Sequence, residues 1–375
     1  MICRSRGWRN YDESAKDIAM TGKVISLGQV IVDLTMNVDA VPRAGEDVFA
    51  GNVQTQVGAS FNTLYAVRRM GVKASHAGVI GTGPWASQIL QTLENQGIQH
   101  IGKRDAVRDS GFCVALTDAN AERTFISTRG AEAYGSVDAF DSVNPEKQDV
   151  VHVSGYTLVH RTADALLAFV KRTTEHREFT VVFDPSPMIA TVDDDVFRVM
   201  LAYRPIWSCN ECEATLIAQR LAALDNGNSC DCKVSQDIVQ EIENANVNEE
   251  TVAWLCDRLR SPVIVRVGAD GAWLAIPGDE ALRIPGFPMK AVDTNGAGDC
   301  HAGVLCALLC EGVPLKDAVR CANAASALAV TRSGPATCLI ERRLSGSWEG
   351  CSKTYGINDY KWLYHVRDCA DTACI

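Results

Sequence analysis

An α/β fold is expected from three features of this 375-residue chain: a mostly parallel sheet covered by helices on both faces, with a small second sheet beside it. From residue 149 onward, short apolar strands alternate with helical patterns, the rhythm of a parallel sheet wrapped on both sides. Before that point, residues 24–60 alternate polar and apolar side chains between turn signals at Pro42, Gly45 and Gly51, which suits a separate sheet. The composition, 47% hydrophobic and 22% charged, can bury a large core unaided and excludes a disordered or collagen-like chain.

Residues 1–19 are polar, with scattered Arg and no period. They read as a disordered tail, or as an upstream start that the native protein does not use. The segment Met20 to Leu34 reads as a strand, a glycine turn at Gly28 and a second strand. Residues 61–71 and 84–97 read as helices, each closed by a glycine, the second opened by Pro84. Gly111–Thr117 and Arg123–Thr128 read as a hairpin. Then follow a strand near 149–155, a helix over 161–175, a strand over 180–184 stopped by prolines, a helix near 193–201, a strand over 204–210 and a helix from 211. An apolar strand over 261–268, a further strand to 276 and helices over 297–311 and 314–331 complete the pattern. After Gly334 the period is lost, and residues 339–375 carry no assignable fold.

Charge and targeting narrow the classes. With 46 acidic against 36 basic residues, the net charge of −10 argues against a nucleic-acid binder. It does not argue against an anionic substrate, which backbone dipoles can bind inside an acidic protein. No stretch of 18 apolar residues exists, so no membrane helix is expected, and Ala302–Cys310 fits a buried helix. The N-terminus lacks a signal-peptide core, which points to the cytosol. The 15 cysteines then read as reduced, small hydrophobes. Two decoys carry little. Cys209-x-x-Cys212 with Cys230-x-Cys232 only partly matches zinc spacing, and Gly78 to Gly83 lacks the full dinucleotide fingerprint.

The sharpest motif is Asp293-Thr-Asn-Gly-Ala-Gly-Asp299, followed at once by a helix. Small residues at a helix N-terminus leave N–H groups unpaired and admit a phosphate close to the backbone. A carboxylate at the end of that turn gives anion stabilisation plus a base, as phosphoryl transfer needs. The same residues also fit a plain glycine turn with Asp as a helix cap.

That heptad resembles the C-terminal signature of the ribokinase-like (PfkB) carbohydrate kinases. Four further elements resemble the family in order: Gly28 with Asp33, Gly58 to Asn62, Asn210-Glu-Cys-Glu213, and the glycine turn Val265 to Gly271. Together they run from about residue 22 to 336. The resemblance implies a three-layer α/β/α sandwich over 21–337, with a β-sheet lid from parts of 32–57 and 107–130, between the tails 1–20 and 338–375. It implies an ATP-dependent kinase of a small sugar, with Asp299 as catalytic base and Gly296, Ala297 and Gly298 donating N–H groups to the phosphate. By the same resemblance, Asp33, Gly58 and Asn62 hold the sugar. Gly268, Gly271 and Asn323 line the ATP side. Asn210 and Glu213 order Mg²⁺ through waters, and Asp293 with carbonyls near 329–334 holds a K⁺-type ion. A lid-mediated homodimer is the expected partner.

Each of these has a plainer alternative: Asp33 as a strand-end turn residue, Asn62 as a helix cap, Glu213 as a solvated first-turn carboxylate, Arg123 as an exposed strand residue. Departures from the family matter as well. Val57-Gly58 stands for Gly-Gly, and Ala59-Ser60-Phe61-Asn62 stands where ribokinases proper have Lys-Gly-Ala-Asn, which weakens ribose as substrate. His301 stands where Phe is frequent, as a packed core residue or a change at the site's edge. The abrupt C-terminal segment is consistent with a frameshift or altered terminus, which intact-mass analysis of the natively expressed protein tests. Two other readings remain: a nucleoside kinase of the same family, or a non-catalytic ligand-binding relative.

Overall fold

A computed structural model describes residues 22–120, 122–225 and 247–338. The two tails, and with them most of the segment holding Cys230 and Cys232, lie outside the described residues. The main sheet has nine strands: β1 (Lys23–Ser26), β4 (Lys73–His76), β5 (Ile98–His100), β8 (Val150–Ser154), β9 (Thr180–Asp184), β10 (Ile206–Asn210), β11 (Val263–Arg266), β12 (Gly271–Ala275) and β13 (Leu282–Pro285). Their order is β13-β12-β11-β10-β9-β8-β1-β4-β5. From β11 to β5 all pairs are parallel, whereas β11–β12 and β12–β13 are antiparallel. The expected parallel sheet therefore ends in an antiparallel edge. The glycine turn between β11 and β12, with φ +59 at Gly268 and +99 at Gly271, is too tight for a helical crossover. The edge strand β13 is not foreseen in the sequence.

Successive residues of the central strands feed two cores, one on each face of the sheet. Val24, Val150, Val182 and Ile264 face one side, and their neighbours Ile25, Val151, Phe183 and Val265 face the other. That two-sided burial is why these strands read as continuous apolar runs. The first face is covered by α1 (Ser60–Arg69), α2 (Pro84–Asn95), α7 (Ala297–Cys310) and α8 (Leu315–Ala329). The second is covered by α3 (Ala163–Thr173), α4 (Asp194–Tyr203), α5 (Glu211–Asp225) and α6 (Glu249–Leu259), around the fully buried Trp207 and Phe183, whose rings pack edge-on at 4.8 Å. The apolar run Ala302–Cys310 is buried inside α7, between the sheet, α1 and α8. No helix among the described residues is long and apolar enough to cross a membrane, and the nine described cysteines are all free thiols.

The second sheet has four strands in the order β3-β2-β6-β7, from β2 (Val30–Asn37), β3 (Val53–Ala59), β6 (Phe112–Thr117) and β7 (Arg123–Ser127). The strand–glycine–strand at the start of the chain thus splits between two sheets. Leu27–Gln29 carries the chain across, and only glycine fits at position 28, where a Cβ would meet Ser60 Oγ at 1.9 Å. Register places Asp33, Cys113, Ser127, Phe125, Arg123 and Gln56 on one face of this sheet. Arg123 bonds Asp293 of the main domain, so that face is the inner one.

Candidate active site

The strands run outward in both directions from β1, and in α/β sheets ligands bind outside the carboxyl ends at such a switch point. Asp184, Asn210 and Arg266 are the last residues of β9, β10 and β11. The heptad turn meets them from above, at the start of α7. Gly296 adopts φ +74, and a Cβ there would stand 2.1 Å from the Pro335 carbonyl oxygen, so glycine is required. Gly296 and Gly298 keep their N–H groups free of backbone partners, while Ala297 turns its N–H back to the Thr294 carbonyl at 3.3 Å. Of the three expected donors, two stay available.

Asp299 sits in the first turn of α7 with one side open to the cleft. Asn62 Nδ2 donates to its Oδ2 at 3.1 Å and Thr63 Oγ1 to its Oδ1 at 3.3 Å. Burial, then repulsion from Asp184, pushes its pKa up to about 7, against the pull of those two hydrogen bonds and of Arg266. Asn62 is itself buried, and its Oδ1 has no protein partner. A buried acceptor beside a carboxylate is a place for a donor such as a hydroxyl.

Arg266 is the functional residue the sequence reading missed. Its Nη1 donates to Ser208 Oγ at 2.9 Å, and its guanidinium lies 3.7 Å from Asp184 and 3.5 Å from Glu213. Its Nη2 is 3.6 Å from where a Cβ on Gly298 would stand. One fixed cation therefore lies directly under the anion turn, with Asp184, Glu213 and Asp299 around it. Burial would favour loss of its proton, but Asp184 and Glu213 outweigh that and keep it charged. The sequence carried no sign of it: Arg266 lies inside the strand expected over 261–268, and only the structure sets it at the carboxyl end of β11 beside Asp184.

Asn210 and Glu213 form a reciprocal cap on α5. The Asn210 N–H donates to Glu213 Oε2 at 2.9 Å, and the Glu213 N–H donates to Asn210 Oδ1 at 2.8 Å. Glu213 is buried rather than solvated, and burial followed by Asp184 pushes its pKa up to about 7. The local cap and a site role are compatible, because the cap uses only Oε2.

The remaining expected residues divide. Asp33 lies on the inner face of the second sheet, and burial pushes its pKa up to about 6. A Cβ on Gly58 would stand 2.1 Å from Asp33 Oδ2, so the glycine makes room for that carboxylate. The adjoining Ala59 holds φ 57 and ψ −133, a glycine-like conformation that costs on the order of 1–3 kcal/mol. Gly268 faces open space, whereas Gly271 is pinned by the Ile284 carbonyl. Asn323 is buried, with Nδ2 donating to the carbonyls of Ile284 and Pro285 and Oδ1 bonded to His301 Nε2. Its amide ties α8 to β13, and both Nδ2 hydrogens are used inside the fold. His301 is a core residue, and burial drives its pKa down to about 3.

At the expected cation site, Asp293 already carries bonds on both oxygens. Its Oδ1 accepts from Arg123 Nη2 and from the Asn295 N–H, both at 2.9 Å, and its Oδ2 accepts from the Gly334 N–H at 3.0 Å. The Ala329 and Val330 carbonyls already accept from Thr337, Arg332, Val292 and Asp293. Burial would raise the Asp293 pKa, but the bonds from Arg123, Asn295 and Gly334 outweigh it and hold it low.

The model of the pfkB family carbohydrate kinases matches residues 21–342. The chain belongs to that family. It is 29% identical over 312 residues to an uncharacterized sugar kinase, YegV, of Escherichia coli K12, covering 83% of this chain and 89% of that one. Ribokinase from Cryptococcus neoformans, solved with ADP, shares the fold at TM-score 0.66 and 20% identity over 85% of this chain and 97% of that one. Adenosine kinase from Sinorhizobium meliloti does so at 0.67 and 17%, over 85% and 97%. Membership supports a phosphotransferase with a hydroxyl acceptor.

Proposed function

We propose that the chain transfers the γ-phosphoryl group of ATP to a hydroxyl of a small sugar, with Asp299 as base. The observation that carries this is the pairing of Asp299, poised near neutrality, with the orphan Oδ1 of Asn62, both beside the Gly296–Gly298 turn. A hydroxyl donating to Asn62 or Asp299 stands next to an anion site, the geometry in-line transfer requires. The hydroxyl proton passes to the Asp299 carboxylate as its oxygen bonds the γ-phosphorus, and the bond to the β-phosphate oxygen breaks, releasing ADP. Gly296 and Gly298 N–H groups and the Arg266 guanidinium meet the charge on the transferring group. Asp33 holds further sugar hydroxyls, with Gly58 clearing its place.

Three carboxylates around one guanidinium leave the site with excess negative charge, which fits a divalent cation carried with the nucleotide. Among the described residues no three ligating side chains converge. Asn210 and Glu213 would therefore hold Mg²⁺ through waters, and the ion would neutralise phosphate charge. Pairing of two lids belongs to the same reading: Leu34, Met36, Val114, Leu116 and Ile126 alternate onto the outer face of the second sheet, Ile126 being 59% exposed.

A nucleoside acceptor is the second reading. Phe125, 61% exposed on the inner face of that sheet, offers a ring on which a base would stack. ADP release with Mg·ATP across sugars, sugar acids and nucleosides decides between them, with Asp299→Asn as control. One responsive sugar whose signal vanishes in the variant supports the proposal. A responsive nucleoside favours the second reading, and silence from folded, ATP-binding protein overturns both.

A further inference from the structure

Of the bonds on Asp293, the one from Arg123 comes from the second sheet. Arg123 lies on β7, 170 residues from Asp293 in sequence, and reaches it at 2.9 Å across the gap between the two sheets. A second strand of the same sheet approaches the same loop: Gln56 Oε1, on β3, is 4.0 Å from where a Cβ on Gly334 would stand. Gly334 donates to the other oxygen of Asp293. The second sheet thus contacts Asp293 through Arg123, while a second of its strands comes near the same loop.

We propose that Arg123 is a positioning residue that supplies, from the closed lid, the positive charge at Asp293 that a bound monovalent ion would otherwise supply. The charge is needed because Asp293 anchors the turn carrying the Gly296 and Gly298 N–H groups: Oδ1 binds the Asn295 amide one residue before Gly296. An uncompensated carboxylate there would oppose an incoming phosphate at close range. With Arg123 in place the charge is cancelled and the turn is held in one geometry. Because the guanidinium belongs to the lid, the compensation is complete only when the lid is shut over the acceptor. Phosphoryl transfer and closure are coupled through this pair, which limits transfer to water in the open state.

The inference rests on the kinase reading for its activity arm, while its binding arm is independent of any acceptor. Thallium(I) serves as the probe for a monovalent site, followed by thallium NMR line broadening on the full chain. The wild-type protein is expected to leave the thallium line sharp and to work equally fast in K⁺ and in N-methylglucamine buffer. Arg123→Ala is expected to lose about tenfold in kcat/KM for the acceptor, the worth of one charge-assisted hydrogen bond, with ATP binding unchanged and the loss partly restored by added guanidinium ion but not by an equal rise in Na⁺. Arg123→Lys keeps the charge and is expected to retain most of the activity. Thallium broadening by the wild type, a several-fold K⁺ activation of the wild type, full activity in Arg123→Ala, or a loss that guanidinium leaves untouched each overturns the proposal. If no acceptor is found, the thallium result still decides the binding claim.

Discussion

Replacing Asp299 with Asn should abolish activity while making the protein more stable, and the two effects have one cause. The carboxyl rises from 3.8 to about 7 on folding because burial and Asp184 disfavour its charge. Below pH 3.8 it is protonated in both states and costs nothing. Between those values the unfolded chain is ionised while the folded one still holds the proton, so stability falls as pH rises. Above 7 both are ionised and the cost is at its maximum. About three pKa units correspond to a ceiling of about 4 kcal/mol. Solvent reaches the open side of the carboxyl, and Asn can accept from only one of Asn62 and Thr63, a loss of about 1 kcal/mol. The net expectation is about 2 kcal/mol, or about 3 °C in Tm for a chain of this size, in favour of Asp299→Asn at pH 8. Urea unfolding of both proteins from pH 4 to 8 measures it. The gap should open between pH 4 and 7 and stay level above, while kcat falls by about 10² or more, as for loss of a general base. A variant less stable than wild type at pH 8, or a gap that ignores pH, would refute the burial argument and with it the poised base.

Two further outcomes follow from the same geometry. The acceptor kcat/KM should rise with pH to a plateau above about 7, with a log–log slope near one from pH 6 to 7 and approaching two below pH 6, where Asp33 also takes up its proton; Asp33→Asn should remove the steeper limb, and a flat profile would count against both assignments. Gly58→Ala puts a Cβ 2.1 Å from Asp33 Oδ2, so the acceptor KM should rise about ten- to a hundredfold, the worth of a displaced charge-assisted hydrogen bond, while the ATP KM holds; equal changes in both would mean that the fold, not Asp33, was disturbed.

What could be read from the sequence alone was local. The heptad turn and the Gly268–Gly271 turn each close within a few residues, so their geometry is written in residue type and spacing; the Asn210–Glu213 cap is equally local, yet the sequence reading had it only as a motif. Two-sided burial likewise marks the central strands as apolar runs. The tertiary structure decided whatever depends on residues far apart in the chain: Asn62 against Asp299 across 237 positions, Arg123 against Asp293, and Arg266 beneath Gly298. No period or spacing records such meetings, because they depend on where strands end and how two sheets face each other. It also revealed Asn323 bonded to Ile284 and Pro285 inside the fold, and Asp293 bonded to Arg123 across the gap between the two sheets. The shifted pKa values belong to the same class. They arise from desolvation and from charges brought together by folding, and an unfolded chain has neither.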